Sequence, residues 1–162
     1  MENNNELKAL IERILKQLND FYNGNSWVTD KLGINVFSNT PAVAFKKVSG
    51  HSHSVAQQVA HINAWRNFAV QKLTGNDKFD IEDNSPKDWP EPVEWNAVKK
   101  EFETCHENLL TAIKNFPDEK WHATVPLRSY SFLYLINGIV EHDYYHYGQI
   151  NVLLAAIGRM EG

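Results

Sequence analysis

Glu141-His142-Asp143-Tyr144-Tyr145-His146-Tyr147-Gly148-Gln149-Ile150 lies inside a longer run of helical spacing. Leu135, Ile139, His142, His146, Ile150, Leu153 and Ile157 recur at intervals of three and four, so they share one face of a helix expected from about Ser131 to Ile157. Gly158 stands at the C′ position expected to end it. Two histidines therefore stand in register with the apolar residues that such a helix turns toward its neighbours. A helix with one apolar stripe is stable only when that stripe is covered, so the rest of the chain should supply the covering helices.

It does so three times. Leu7, Leu10, Ile11, Ile14, Leu18 and Phe21 mark a first helix from about residue 4 to 22, closed by Asn23-Gly24-Asn25. Val55, Val59, Ile62, Trp65, Phe68 and Leu73 mark a second, capped by Ser52 or Ser54 and closed by Thr74-Gly75. Trp95, Val98, Phe102, Cys105, Leu109, Ile113 and Phe116 mark a third, which begins after Pro92 and ends at Pro117. Between the first two, Thr40-Pro41 ahead of Ala42-Val43-Ala44-Phe45 has the form of an N-cap, a Pro at N1 and a short helix. The stretch Asn76 to Pro92 carries Pro86, Pro90 and Pro92 and reads as a crossing loop. At about 3.3 Å per extended residue it reaches beyond the roughly 30 Å length of a 20-residue helix, so it can join two parallel helices. No convincing strand and no internal repeat appear. The expectation is an all-α chain: residues 1–162 as a single four-helix-bundle domain, with long connections between helices one and two and between two and three.

Composition narrows the chemistry. The 162 residues carry 16 Lys and Arg against 20 Asp and Glu, a formal charge of −4, and a pI near 6.0. No basic run is present, so nucleic acid is not the expected partner. The N-terminus lacks the basic and apolar regions of a signal peptide, and no stretch approaches the ~18 consecutive apolar residues of a membrane span. A soluble, cytoplasmic protein is expected. One cysteine, Cys105, excludes an intramolecular disulfide framework and Cys-based zinc sites. Seven histidines beside one thiol make any metal chemistry here nitrogen chemistry.

His142 and His146, four residues apart, place their Cβ atoms about 5–6 Å from each other on one helix face. Two such imidazoles can converge on one cation at about 2.0–2.1 Å. Chance would give on the order of 0.3 His-x-x-x-His pairs in such a chain, so spacing alone is weak support. Position strengthens it, because an unpartnered polar group in a core stripe costs about 1–3 kcal/mol. The alternative is a pair of core histidines satisfied by hydrogen bonds. A third ligand must come from another helix. His61, inward-facing in the second helix, is the best candidate, and His53 at the start of that helix is its rival. Asp143 follows His142 where a zincin would have Glu, which disfavours a metalloprotease.

Around the pair, Gln149 is the one side chain singled out as a catalytic candidate, through an amide that could hold a metal-bound water. A packing hydrogen bond is its plainer reading. Gly148 inside the helix is expected to allow close approach of another helix. Asp143 and Glu141 could orient imidazole N–H groups, or be solvated surface. His106 adjoins Cys105 but points about 100° away from it, and His122 reads as loop. Trp27, Trp89 and Trp121 fall in expected loops, where they either cap the bundle or form a homodimer interface.

These residues carry a likeness. Ser54-Val55 leading into Ala60-His61-Ile62 and Trp65, and the pattern His142-Asp143-x-Tyr145-His146-x-Gly148-Gln149, resemble the DinB/YfiT-like family over essentially the full chain. The resemblance implies a bundle in up-down-down-up order. It also implies a divalent metal, zinc or nickel, held by His61, His142 and His146. Relatives include thiol-dependent S-transferases and metal-dependent hydrolases, so the likeness implies a metal ion that activates a low-molecular-weight thiol or water toward a small-molecule substrate. Its alternatives are a hydrolase, or a stress-associated metal-binding module without turnover.

Overall fold

The computed structural model describes residues 2–27, 29–30 and 36–161. Helix α1, Glu2–Asn23, buries Ile14, Leu18 and Phe21 to within 1% of full enclosure, the face the sequence spacing selects. Gly24, at φ 74°, takes the left-handed conformation that turns the chain out of the helix. A two-residue antiparallel ribbon follows, β1 (Asn25–Ser26) with β2 (Thr29–Asp30), in which Asn25 faces Asp30 and Ser26 faces Thr29. The sequence reading expected no strand, and a pair this short has no periodicity to read. Part of the 23–52 connection, residues 28 and 31–35, lies outside the described residues.

The short helix expected after Thr40-Pro41 is present as α2, Pro41–Ala44, with the Thr40 side chain accepting from the Val43 N–H. Helix α3, Val55–Leu73, starts at Ser54 with a reciprocal capping box: Ser54 Oγ accepts from the Gln57 N–H, and Gln57 Oε1 accepts from the Ser54 N–H at 3.0 Å. Gly75, at φ 88°, turns the chain after its last residues. Helix α4, Trp95–Asn115, is capped by Glu94, whose carboxylate accepts from the Asn96 and Ala97 N–H groups. A 3-10 turn, Asp118–Lys120, leads to Trp121, which is 1% exposed and seals one end of the core.

Helix α5, Phe132–Glu161, runs past Gly158. The expected stop there is therefore corrected. Gly158 stays helical because a glycine ends a helix by adopting positive φ, and only Gly24, Gly50 and Gly75 do so among the described glycines.

All-α character is thus carried by four long helices. Helix α3 packs against α4 and α5, and α1 packs against the same two. Their apolar faces form two clusters. One gathers Ile14, Leu18, Phe68, Leu109, Ile113 and Ile136; the other gathers Phe21, Val59, Ile62, Phe102, Ile150 and Leu153. On α3, α4 and α5, buried polar residues lie between the two sets: Asn63 and Arg66, His106, and Asp143 and His146. A polar layer therefore crosses the middle of the bundle. Its centre is Arg66, whose Nε and Nη2 donate to the Asp143 carboxylate at 2.7–3.3 Å with neither residue exposed to solvent. The guanidinium also lies 4.3 Å from the Phe102 ring centroid. Such a pair is held by its charge-assisted hydrogen bonds against the cost of taking both ions out of water, while Arg66 Nη1 is buried with no hydrogen-bond partner among the described residues.

Candidate metal centre

His61 comes from the middle of α3, and His142 and His146 come from successive turns of α5. Because α3 and α5 pack side by side, the three rings meet. One ligand nitrogen from each lies within 4.8 Å of the other two, and this is the one such group of three among the described residues. Nε2 of His142 is 3.0 Å from Nε2 of His61.

The outward-facing nitrogens decide what the inward ones can do. His61 Nδ1 lies 2.6 Å from the backbone carbonyl of Asp88 and 3.1 Å from Asp88 Oδ1. A nitrogen facing two acceptors carries the proton, so His61 Nε2 is a bare lone pair. His146 Nδ1 lies 2.6 Å from Gln58 Oε1 and 2.8 Å from Gln149 Oε1. By the same argument its Nε2 is bare. His142 Nδ1 is buried with no hydrogen-bond partner among the described residues. Two bare nitrogens and a third ring nitrogen within hydrogen-bond reach form a donor set that fits a divalent cation, with Nδ1–H groups anchored as metal-bound histidines require.

The electrostatics agree. Burial, followed by the neighbouring His146 and His61, pushes His142 down to about 2. Burial, followed by His61, pushes His146 down to about 4. Burial also lowers His61, with Asp88 opposing it. All three rings are therefore neutral at pH 7, the protonation state in which imidazole ligates.

The crossing loop supplies what the helices lack. Asp88 Oδ1 accepts from Trp65 Nε1 at 2.8 Å and Oδ2 accepts from the Asn84 N–H at 2.8 Å, so the carboxylate ties the loop to α3 while it orients His61. Trp89 lies flat against His61, with ring centroids 3.8 Å apart, and its other contact of this kind is His53 at 3.6 Å. His53 is thus stacked on Trp89 beside the triad, and the ring that joins His142 and His146 is His61.

Gln149 stands with its Oε1 on His146 Nδ1, on the far side of that ring from Nε2. Asp143 neither orients an imidazole nor meets water; it is the partner of Arg66. Glu141 is exposed. Gly148 is not a point of close helix approach, since a Cβ built there meets nothing within 4 Å. His106 stacks on Tyr22 with centroids 4.2 Å apart, away from the triad, and burial lowers it to about 4. Cys105 is core, and burial pushes its thiol up to about 11, so it is not a nucleophile near neutral pH. Of the three loop tryptophans, Trp121 is core, Trp89 covers the triad and Trp27 is fully exposed.

Asp88, Gln58 and Arg66 escaped the sequence reading. Gln58 precedes His61 by one helical turn on the same face, a spacing that could have singled it out. Asp88 lies in a proline-rich loop, and nothing in its local pattern separates it from the other acids there. No helix among the described residues is long and apolar enough to cross a membrane.

The family model described as the DinB superfamily matches residues 34–150, a span that contains all three histidines. No curated protein and no solved structure matches the chain.

Proposed function

The chain belongs to the DinB superfamily, and from that membership and the histidine geometry we propose that His61, His142 and His146 hold one divalent metal ion, zinc or nickel, in a thiol-dependent S-transferase. The observation that carries this reading is the pair of anchored Nδ1–H groups, on Asp88 and on Gln58 with Gln149, which leaves Nε2 bare on His61 and His146 within a group of three rings, His61 Nε2 lying 3.0 Å from His142 Nε2. When bound by three neutral nitrogens, such an ion supplies Lewis acidity that makes a bound thiol or water nucleophilic near neutral pH.

The protein's own residues do the rest. Asp88 holds the His61 ring by carbonyl and carboxylate. Gln58 and Gln149 hold His146 without adding negative charge, which keeps the centre electron-poor and suited to thiolate. Trp89 covers one face of His61 and keeps bulk water from it. The 74–94 connection, long enough to cross the bundle, is in keeping with an up-down-down-up helix order.

A transfer screen tests the activity: low-molecular-weight thiols against small electrophiles, and separately water against esters, each with and without chelator. Chelator-sensitive thiol consumption is expected. Chelator-sensitive ester cleavage without thiol dependence would replace the transferase with a hydrolase. Metal retention with neither activity would leave a binding module.

A further inference from the structure

Two cavities flank the triad, and they differ in chemistry. The first, of about 200 Å³, ends at His142 and is walled by Trp65, Tyr130, Tyr134 and Ile139. Among the described residues no Asp, Glu, Lys or Arg lines it, and its surface is almost wholly apolar. The second, of about 400 Å³, is lined by Gln58 and Gln149, the two amides behind His146, and by His51, Ser52 and His53. Each has a glycine of α5 in its lining, Gly138 in the first and Gly148 in the second, and at neither does an added Cβ meet any atom within 4 Å. These glycines do not serve helix packing. Gly158, which lines neither cavity, is equally open, so what sets Gly138 and Gly148 apart is their place in the two linings.

We infer that the cavity beside His142 is a subsite for an uncharged group of aromatic-ring size on the substrate, and that Gly138 sets how large that group can be. The inference rests on the metalloenzyme reading for its role in turnover, because the cavity places such a group against a triad ring. The binding itself does not depend on a metal. Three observations fix the occupant's chemistry. The cavity is a cleft open on one side, with Tyr134 mostly exposed at its rim, and its volume of about 200 Å³ is of the size that holds one ring, since an enclosed apolar cavity of roughly 150 Å³ binds benzene. Two tyrosines and a tryptophan offer ring faces and edges to a planar guest. With no Asp, Glu, Lys or Arg in the lining among the described residues, a carboxylate or ammonium carried to the inner end of the cleft, beside His142, would lose its hydration without compensation.

The test uses benzyl alcohol as the neutral probe and benzoate as its charged counterpart, with chelator-treated protein titrated by NMR and zinc stoichiometry measured on the same preparations. Benzyl alcohol should bind saturably and perturb resonances of Trp65 and Tyr134, and benzoate should bind at least about tenfold more weakly. Gly138→Leu should abolish probe binding and Gly138→Ala should weaken it, with zinc uptake unchanged in both. Gly148→Leu, on the polar side, should leave probe binding within about twofold. The alanine variant carries the test if the leucine variant fails to fold. Failure to saturate the wild-type protein, binding unaffected by either Gly138 variant, or equal loss in Gly148→Leu would overturn the subsite. Probe binding intact in a protein that takes up no zinc would overturn the metal reading and leave the subsite standing.

Discussion

His146 is backed by two amides where His61 is backed by a carboxylate and a carbonyl, and this difference sets what each ring contributes. A carboxylate partner raises the basicity of an imidazole; an amide oxygen fixes its tautomer with less effect on charge. Removing both amide oxygens with Gln58→Leu/Gln149→Leu should lower metal affinity by about 10–100-fold without abolishing binding, as measured by competition with a chromogenic chelator. Affinity equal to wild type would mean that packing alone orients His146. The buried histidines also set a pH dependence. His146, His106 and His142 titrate near their ordinary value of 6.5 when unfolded but lower when folded, the first two near 4 and His142 near 2, because burial opposes the charged form. Between those pH values the unfolded chain binds more protons, so stability is greatest above about pH 6.5 and falls as acid is added toward pH 4. Urea unfolding of the chelator-treated protein across this range should show that fall. His106→Phe, which keeps a ring against Tyr22, should make it shallower; a flat profile in the wild-type protein would contradict the burial argument.

At the scale of elements, capping and spacing account for where each helix begins, and they were readable in advance. Ser54 is an N-cap with its capping box complete, so Ser54→Ala should cost about 0.5–2 kcal/mol in denaturant unfolding. Gly148→Ala should instead add up to about 1 kcal/mol, since its Cβ enters open space. A loss there would mean that the cavity wall is tighter than it stands. The helices were legible because four apolar stripes at intervals of three and four repeat the same physical requirement many times. Boundaries that depend on one residue were less so: Gly158 stays helical, and its backbone conformation is chosen by the neighbours rather than by its own freedom. The ribbon at 25–30 was invisible because two residues per strand carry no alternation. Asp88 was hidden for a related reason. Its role arises where a loop crosses α3, and no local pattern encodes a contact 27 residues away.

Across the whole molecule, a polar layer divides two apolar clusters, and the triad lies at its edge. Arg66 and Asp143 hold this layer, so Arg66→Met, which strands a buried carboxylate, should cost about 3–5 kcal/mol, whereas Arg66→Met/Asp143→Leu should recover much of that loss. The pair escaped sequence reading because a lone Arg in one helix and a lone Asp in another meet only through helix packing. The histidines were legible at the same scale because His142 and His146 share a stripe with core residues and His61 faces inward from the neighbouring helix. Whether these three rings form one metal site is read from elemental analysis of tag-free protein. After dialysis against zinc or nickel and removal of free ion, the wild-type chain should retain about one ion, and His61→Ala, His142→Ala and His146→Ala should each retain far less, with all four still folded. Absence of retained metal in the wild-type protein, or full retention after His142→Ala, would mean that the three rings do not form the site.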